Sequence, residues 1–143
     1  IERKFKVKLI LMSHGPLASA ILTSAEMIIG KISGAQSFSL TREMGPTELK
    51  KQVSTVLATF PTDETVVIGL DLLGGTPSNV AVQLLAENPH LEVVTGINLP
   101  MVIEFGNQQL LGKFNLSQLL SMGTVGITDL KEKLTADQAD DEE

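Results

Sequence analysis

The sequence predicts an α/β domain: an open, mainly parallel four-stranded sheet with helices on both faces. Three observations carry that expectation. Strand-like and helix-like segments alternate along the 143 residues. The strand-like runs, above all "KVKLILMS" and "TVVIGLDL", are close to continuously apolar, as strands covered on both faces are. The helix-like runs instead space their apolar residues three and four apart.

The elements follow in order. Lys6 to Ser13 reads as a buried strand. In "PLASAILTSAEMIIG" a stripe of Leu17, Ile21, Leu22, Ala25, Ile28 and Ile29 marks a helix, with Pro16 suited to its first turn and Gly30 to its end. Ala35 to Leu40 is a short second strand, and "GPTELKKQVSTVLATF" a second helix with Leu49, Val53, Val56, Leu57 and Phe60 on one side. Thr65 to Leu72 is the most strand-like run, followed by a third helix in "TPSNVAVQLLAEN" and a fourth strand from Leu91 to Gly96. Two short helices, "NLPMVIEFGNQQLLG" and "NLSQLLSMG", come next. "TVGIT", Thr124 to Thr128, reads as a last short strand, and the acidic tail as disordered. There is no internal repeat. The expected division is one domain over residues 1–130 and a tail or linker start over 131–143.

Composition excludes several classes of function. Cysteine is absent, which rules out disulfides and thiolate metal sites and fits a reducing cytoplasm. The net charge is −6. "DQADDEE" holds five acids and no base, so the rest of the chain is near neutral. With no Trp or Tyr to stack on bases, a nucleic-acid partner is not expected. The basic start "IERKFKVK" reads as solvated surface. No apolar run reaches the length of a membrane span, and the start lacks the apolar core of a signal peptide. Ile1 is not an initiating residue, so the leading residues need not be native.

A parallel sheet of this kind puts its chemistry at the carboxyl ends of strands, where neighbouring loops leave in opposite directions. The first strand ends in Ser13-His14-Gly15, and the third runs into "GLDLLGGTPSN". If those strands are neighbours, His14 and Asp71 face each other. A histidine nucleophile needs one ring nitrogen with its lone pair outward and the other protonated and held by an acceptor; Asp71 has the right chemistry. Gly74 and Gly75 let backbone N–H groups approach an anion, and Thr76 can cap the next helix or donate its hydroxyl. Two helix starts, after Pro16 and at Pro77, then converge on a phosphoryl group carried by His14. Each feature has a plainer reading. A histidine at a strand end more often serves structure, Asp71 can cap a turn, and "GGTP" is a common entry to a helix. No Walker loop is present. Methionine is usually core filler, although Met101, after "GINLP", can line the same crevice. His90 reads as surface.

"LILMSHGPLASAILTSAEMIIG", "GLDLLGGTPSNVA" and "VVTGINLPMVIE" together resemble the IIA domain of the mannose family of the bacterial phosphoenolpyruvate-dependent sugar phosphotransferase system, the PTS. The resemblance runs from about Lys8 to about Glu104. It implies that His14 accepts a phosphoryl group from the phosphocarrier protein HPr and passes it to a IIB domain, with the membrane subunits IIC and IID engaged only indirectly. It assigns Asp71 as the aspartate beside the histidine and Thr76 as the hydroxyl residue after the glycine pair; Gly15, Leu72, Gly74, Gly75 and Thr76 make up the expected phosphoryl cradle. The family aspartate is often followed by Thr-Trp; here Leu72-Leu73 follow, so a Leu72 backbone amide replaces any hydroxyl contact. Leu17, Met27 and Met101 are candidates for docking HPr and IIB. No metal and no cofactor are implied. The family forms homodimers that exchange a C-terminal strand, for which "TVGIT" is the candidate. Other readings remain: a related subunit feeding dihydroxyacetone kinase, a non-catalytic regulatory domain, or a metabolite-binding domain.

Overall fold

The computed structural model describes residues 6–141. Most of the basic start, residues 1–5, and the last two acids, 142 and 143, lie outside them. The chain forms β1 (Val7–His14), α1 (Leu17–Ile29), β2 (Ala35–Leu40), α2 (Pro46–Leu57), β3 (Thr65–Leu70), α3 (Gly75–Glu87), β4 (Glu92–Thr95), α4 (Leu99–Leu111), α5 (Leu116–Val125) and α6 (Leu130–Asp141). The four strands make one sheet in the order β2-β1-β3-β4, and every pairing is parallel. From β1 the chain moves outward to β2, then crosses back over β1 to β3. The loops after β1 and β3 are therefore neighbours at the switch point.

Alternation along β1 builds two cores. Leu9 and Leu11 face Val67 and Val94 and pack under α1, α4 and α5 through Ala18, Ala25, Val102, Phe105 and Leu119. Ile10 and Met12 face the opposite way and pack with Ile68 and Leu70 under α2 and α3 through Leu49, Val53, Val80, Ala81 and Leu84. Covering on both faces is the physical reason for the uninterrupted apolar strands. Gly69 of β3 is required by close packing: a Cβ there would lie 2.8 Å from the Ile97 side chain and 2.9 Å from that of Leu11. Gln109, itself buried, ties α4 to the base of the sheet by donating to the Val7 and Ser33 carbonyls and accepting from the Ser33 N–H.

Two expectations at the C-terminus are corrected. "TVGIT" is not a strand. α5 continues through Val125, with Gly126 N–H donating to the Met122 carbonyl at 3.1 Å and Ile127 N–H to that of Thr124 at 3.1 Å. Gly126 closes against Pro100, where a Cβ would meet the ring at 2.5 Å. Contact with α4 outweighs the strand preference of Val, Ile and Thr. The acidic tail is not coil either: α6 runs to Asp141. Asp129 Oδ1 accepts the Glu132 N–H at 3.1 Å, a side-chain cap on a segment of good helix formers.

Candidate active site

His14 is the last residue of β1 and Asp71 the first after β3. Met12 pairs with Leu70, and the Asp71 N–H adds one more rung by donating to the Met12 carbonyl at 3.2 Å. That rung sets the aspartate beside the histidine. Asp71 Oδ2 accepts both the backbone N–H of His14, at 2.9 Å, and ring Nδ1, at 2.8 Å. Oδ1 accepts the Leu72 N–H at 3.0 Å. The Asp71 side chain is only 6% exposed, whereas that of His14 is 46% exposed.

Burial alone would raise the Asp71 carboxyl. The hydrogen bonds from the His14 N–H, the His14 ring and the Leu72 N–H outweigh it, with a smaller charge attraction from the ring, and hold the pKa below the usual carboxylate range. The ionised carboxylate accepts only, so Nδ1 donates to it, and in the neutral ring the lone pair is on Nε2.

Nε2 faces the start of α3. A Cβ on Gly75 would lie 3.1 Å from both Cε1 and Nε2 of His14, so the backbone of Gly75 rests against the ring's free edge. Gly74 and Gly75 have φ of +99° and +81°, a path that glycine follows without strain. The first turn of α3 contains no acidic residue, and its leading N–H groups favour an anion at this place. Gly15, with φ +60°, turns the chain out of β1 while its N–H donates to the Leu40 carbonyl at 2.9 Å.

Several expected roles change. Thr76 does not cap α3: the cap position is Gly74 and no side chain bonds there. The Leu72 amide is engaged by Asp71, so it orients the carboxylate rather than a phosphoryl oxygen. The start of α1 is partly spoken for, because Ser13 Oγ accepts the Ala18 N–H at 2.8 Å and donates to the Gly15 carbonyl at 3.0 Å. Leu17 is exposed at the first turn of α1 beside the histidine. Met27 is 83% exposed, but ten residues of helix place it about 15 Å further along α1, away from the site. Met101 is 6% exposed and packs in the core with Leu9, Leu11 and Phe105. Leu72 and Leu73 are exposed apolar residues in the loop that carries Asp71. They were not among the expected docking residues, although two leucines in an otherwise polar turn were the available signal. Among the described residues no cluster of three metal-ligating side chains occurs, and no helix is long and apolar enough to cross a membrane.

An open parallel sheet with an exposed, carboxylate-held histidine at its switch point, facing a glycine-opened helix, defines an α/β domain whose candidate site lies at the carboxyl ends of β1 and β3. Residues 8–111 match the family of the PTS system fructose IIA component, EIIA-man, and the chain belongs to that family. It is 34% identical over 118 residues to the sorbose-specific EIIA component of Klebsiella pneumoniae, covering 80% of this chain and 84% of that one. It is 28% identical over 98 residues to the fructose-specific EIIA component of Bacillus subtilis, covering 68% and 67%. The same extent matches the mannose-specific EIIAB component of Escherichia coli, of which it spans 30%. Among solved structures, the PTS IIA protein associated with the fucose utilization operon of Streptococcus pneumoniae superposes with a TM-score of 0.82 at 25% identity, over 91% of this chain and 97% of that one. The mannose/sorbose specific IIA subunit from Enterococcus faecalis does so with 0.73 at 32% identity, over 85% and 92%. The chain is thus a PTS IIA component of the mannose/sorbose type and a component of a phosphotransferase.

Proposed function

We propose that this chain is a phosphocarrier in which His14 takes a phosphoryl group from phospho-HPr and passes it to a IIB domain, for sugar uptake through IIC and IID membrane subunits. The observation that carries the reading is the 2.8 Å contact between Asp71 Oδ2 and His14 Nδ1, which leaves Nε2 as the reactive nitrogen. The Nε2 lone pair forms the bond to phosphorus while the donor's bond breaks, its electron pair staying on the donor atom. The Nδ1 proton remains in its hydrogen bond to Asp71, which offsets the positive charge gained by the ring. Transfer to IIB breaks the N–P bond and returns the pair to Nε2. The protein's work is positioning and charge stabilisation, with the Gly74-Gly75 turn and the start of α3 facing the phosphoryl oxygens. This chemistry calls for no metal or cofactor.

Leu17, with Leu72 and Leu73, is the apolar rim against which HPr and IIB dock. The cytoplasm is where such partners meet. Residues 1–130 form the IIA unit and 131–143 a tail or linker. The functional unit is a homodimer.

Intact mass after incubation with phosphoenolpyruvate, enzyme I and HPr tests the reading. A single acid-labile phosphoryl adduct on wild type and none on His14→Ala is expected. No adduct on wild type, with HPr itself phosphorylated, overturns it.

A further inference from the structure

We infer that Arg42 is a phosphoryl-binding residue, reaching the group on His14 from the β2 side while the start of α3 faces it from the β3 side. The inference rests on the carrier reading above. It begins with the faces of the sheet. His14 follows Ile10 and Met12 in the alternation of β1, and these pack on the face covered by α2 and α3. The close approach of Gly75 to the ring places the imidazole on that same side. The loop from β2 to α2 leads to the same face.

Leu40, the last residue of β2, is the register partner of His14, and its carbonyl accepts the Gly15 N–H. The chain then turns, with Met44 N–H donating to the Thr41 carbonyl at 3.2 Å, and Arg42 stands exposed in that turn. Two residues of chain carry at most about 7 Å and one strand spacing adds about 5 Å, so the Arg42 Cα lies within roughly 12 Å of the His14 Cα. A long, flexible guanidinium side chain and a phosphorylated imidazole bridge that gap between them.

Charge points the same way. Arg42 is the only Lys or Arg in the four strand-to-helix loops at this edge: 15–16, 41–45, 71–74 and 96–98. Its side chain makes no hydrogen bond or ion pair among the described residues. A phosphoryl group brings close to two negative charges, beside an Asp71 that is already ionised. The anions on the β2 side are Glu43 and Glu48, both exposed. A forked guanidinium, weakly hydrated and unengaged, is the group suited to phosphoryl oxygens, and α3 supplies dipoles but no full charge.

The test loads the chain chemically with phosphoramidate, so that no protein partner is present, and follows the pH titration of the phosphohistidine by phosphorus NMR. Arg42→Gln is expected to raise the midpoint of the last phosphoryl ionisation by about half a pH unit or more. Arg42→Lys is expected to restore part of the difference, and Glu43→Gln must not raise the midpoint. An adduct on His14 whose titration is the same in wild type and Arg42→Gln overturns the inference alone. It is overturned equally if Arg42→Gln slows transfer from phospho-HPr while the titration stays put, since the arginine then serves the partner's surface. Failure of wild type to take any adduct on His14 overturns both this inference and the carrier reading.

Discussion

A single oxygen of Asp71, Oδ2, holds His14 twice, accepting the backbone N–H at 2.9 Å and ring Nδ1 at 2.8 Å. Main chain and imidazole are thereby fixed to one atom, and that atom is fixed to β3 by the rung from the Asp71 N–H to Met12. The ring inherits the rigidity of the sheet.

Asp71→Asn keeps the shape but removes the charge and turns one acceptor into a donor. With the amide oxygen in the Oδ2 place, the ring keeps an acceptor for Nδ1 but loses the charge that offsets its own, and the new NH2 meets the Leu72 N–H donor. Initial rates of phosphoryl uptake are expected to fall on the order of a hundredfold or more. A rate and pH profile equal to wild type would remove Asp71 from the mechanism.

Stability should depend on the same carboxylate. Its pKa in the folded chain lies below the ordinary value. The stabilisation is therefore fully present above the ordinary carboxylate pKa and is lost as pH falls through the folded value. Urea unfolding of wild type and Asp71→Asn should show a stability gap near neutral pH that shrinks between about pH 5 and pH 2. A gap that stays constant through that range would contradict the assignment.

Gly75→Ala and Gly74→Ala separate strain from contact. Both positions have positive φ, so each variant should lose about 1–3 kcal/mol in denaturant unfolding. Only at Gly75 does the added methyl meet the His14 ring; nothing lies within 4 Å of a Cβ at Gly74. Phosphoryl uptake should therefore drop more steeply in Gly75→Ala than in Gly74→Ala. Equal uptake in the two variants would argue that α3 does not confine the ring.

The two methionines are expected to diverge. Met101→Ala opens a cavity beside Phe105 and Leu119 and should cost about 2–5 kcal/mol. Met27→Ala, on exposed surface, should change stability by no more than about 0.5 kcal/mol and leave transfer from HPr intact. Leu73→Ser is the contrasting change: unaltered stability with weaker transfer, read as a higher KM for phospho-HPr.

Much of this protein is determined by local pattern. The apolar runs and the three-to-four spacing define four strands and the helices between them, because burial on one stripe or on two faces is written into neighbouring residues. The same pattern puts His14 and Asp71 at strand ends, and the glycine pair before a helix, without knowledge of any contact. Tertiary structure alone decides that β1 lies beside β3, and so that the two residues touch. It alone commits the Leu72 amide to Asp71 and the Ala18 N–H to Ser13. It also separates Leu17 from Met27, which share a helix but not an end, and buries Met101. At Thr124–Thr128 it overrides strand propensity, since the contact of Gly126 with Pro100 joins segments far apart in the chain. These outcomes depend on which distant surfaces meet, and periodicity along the chain carries no information about that.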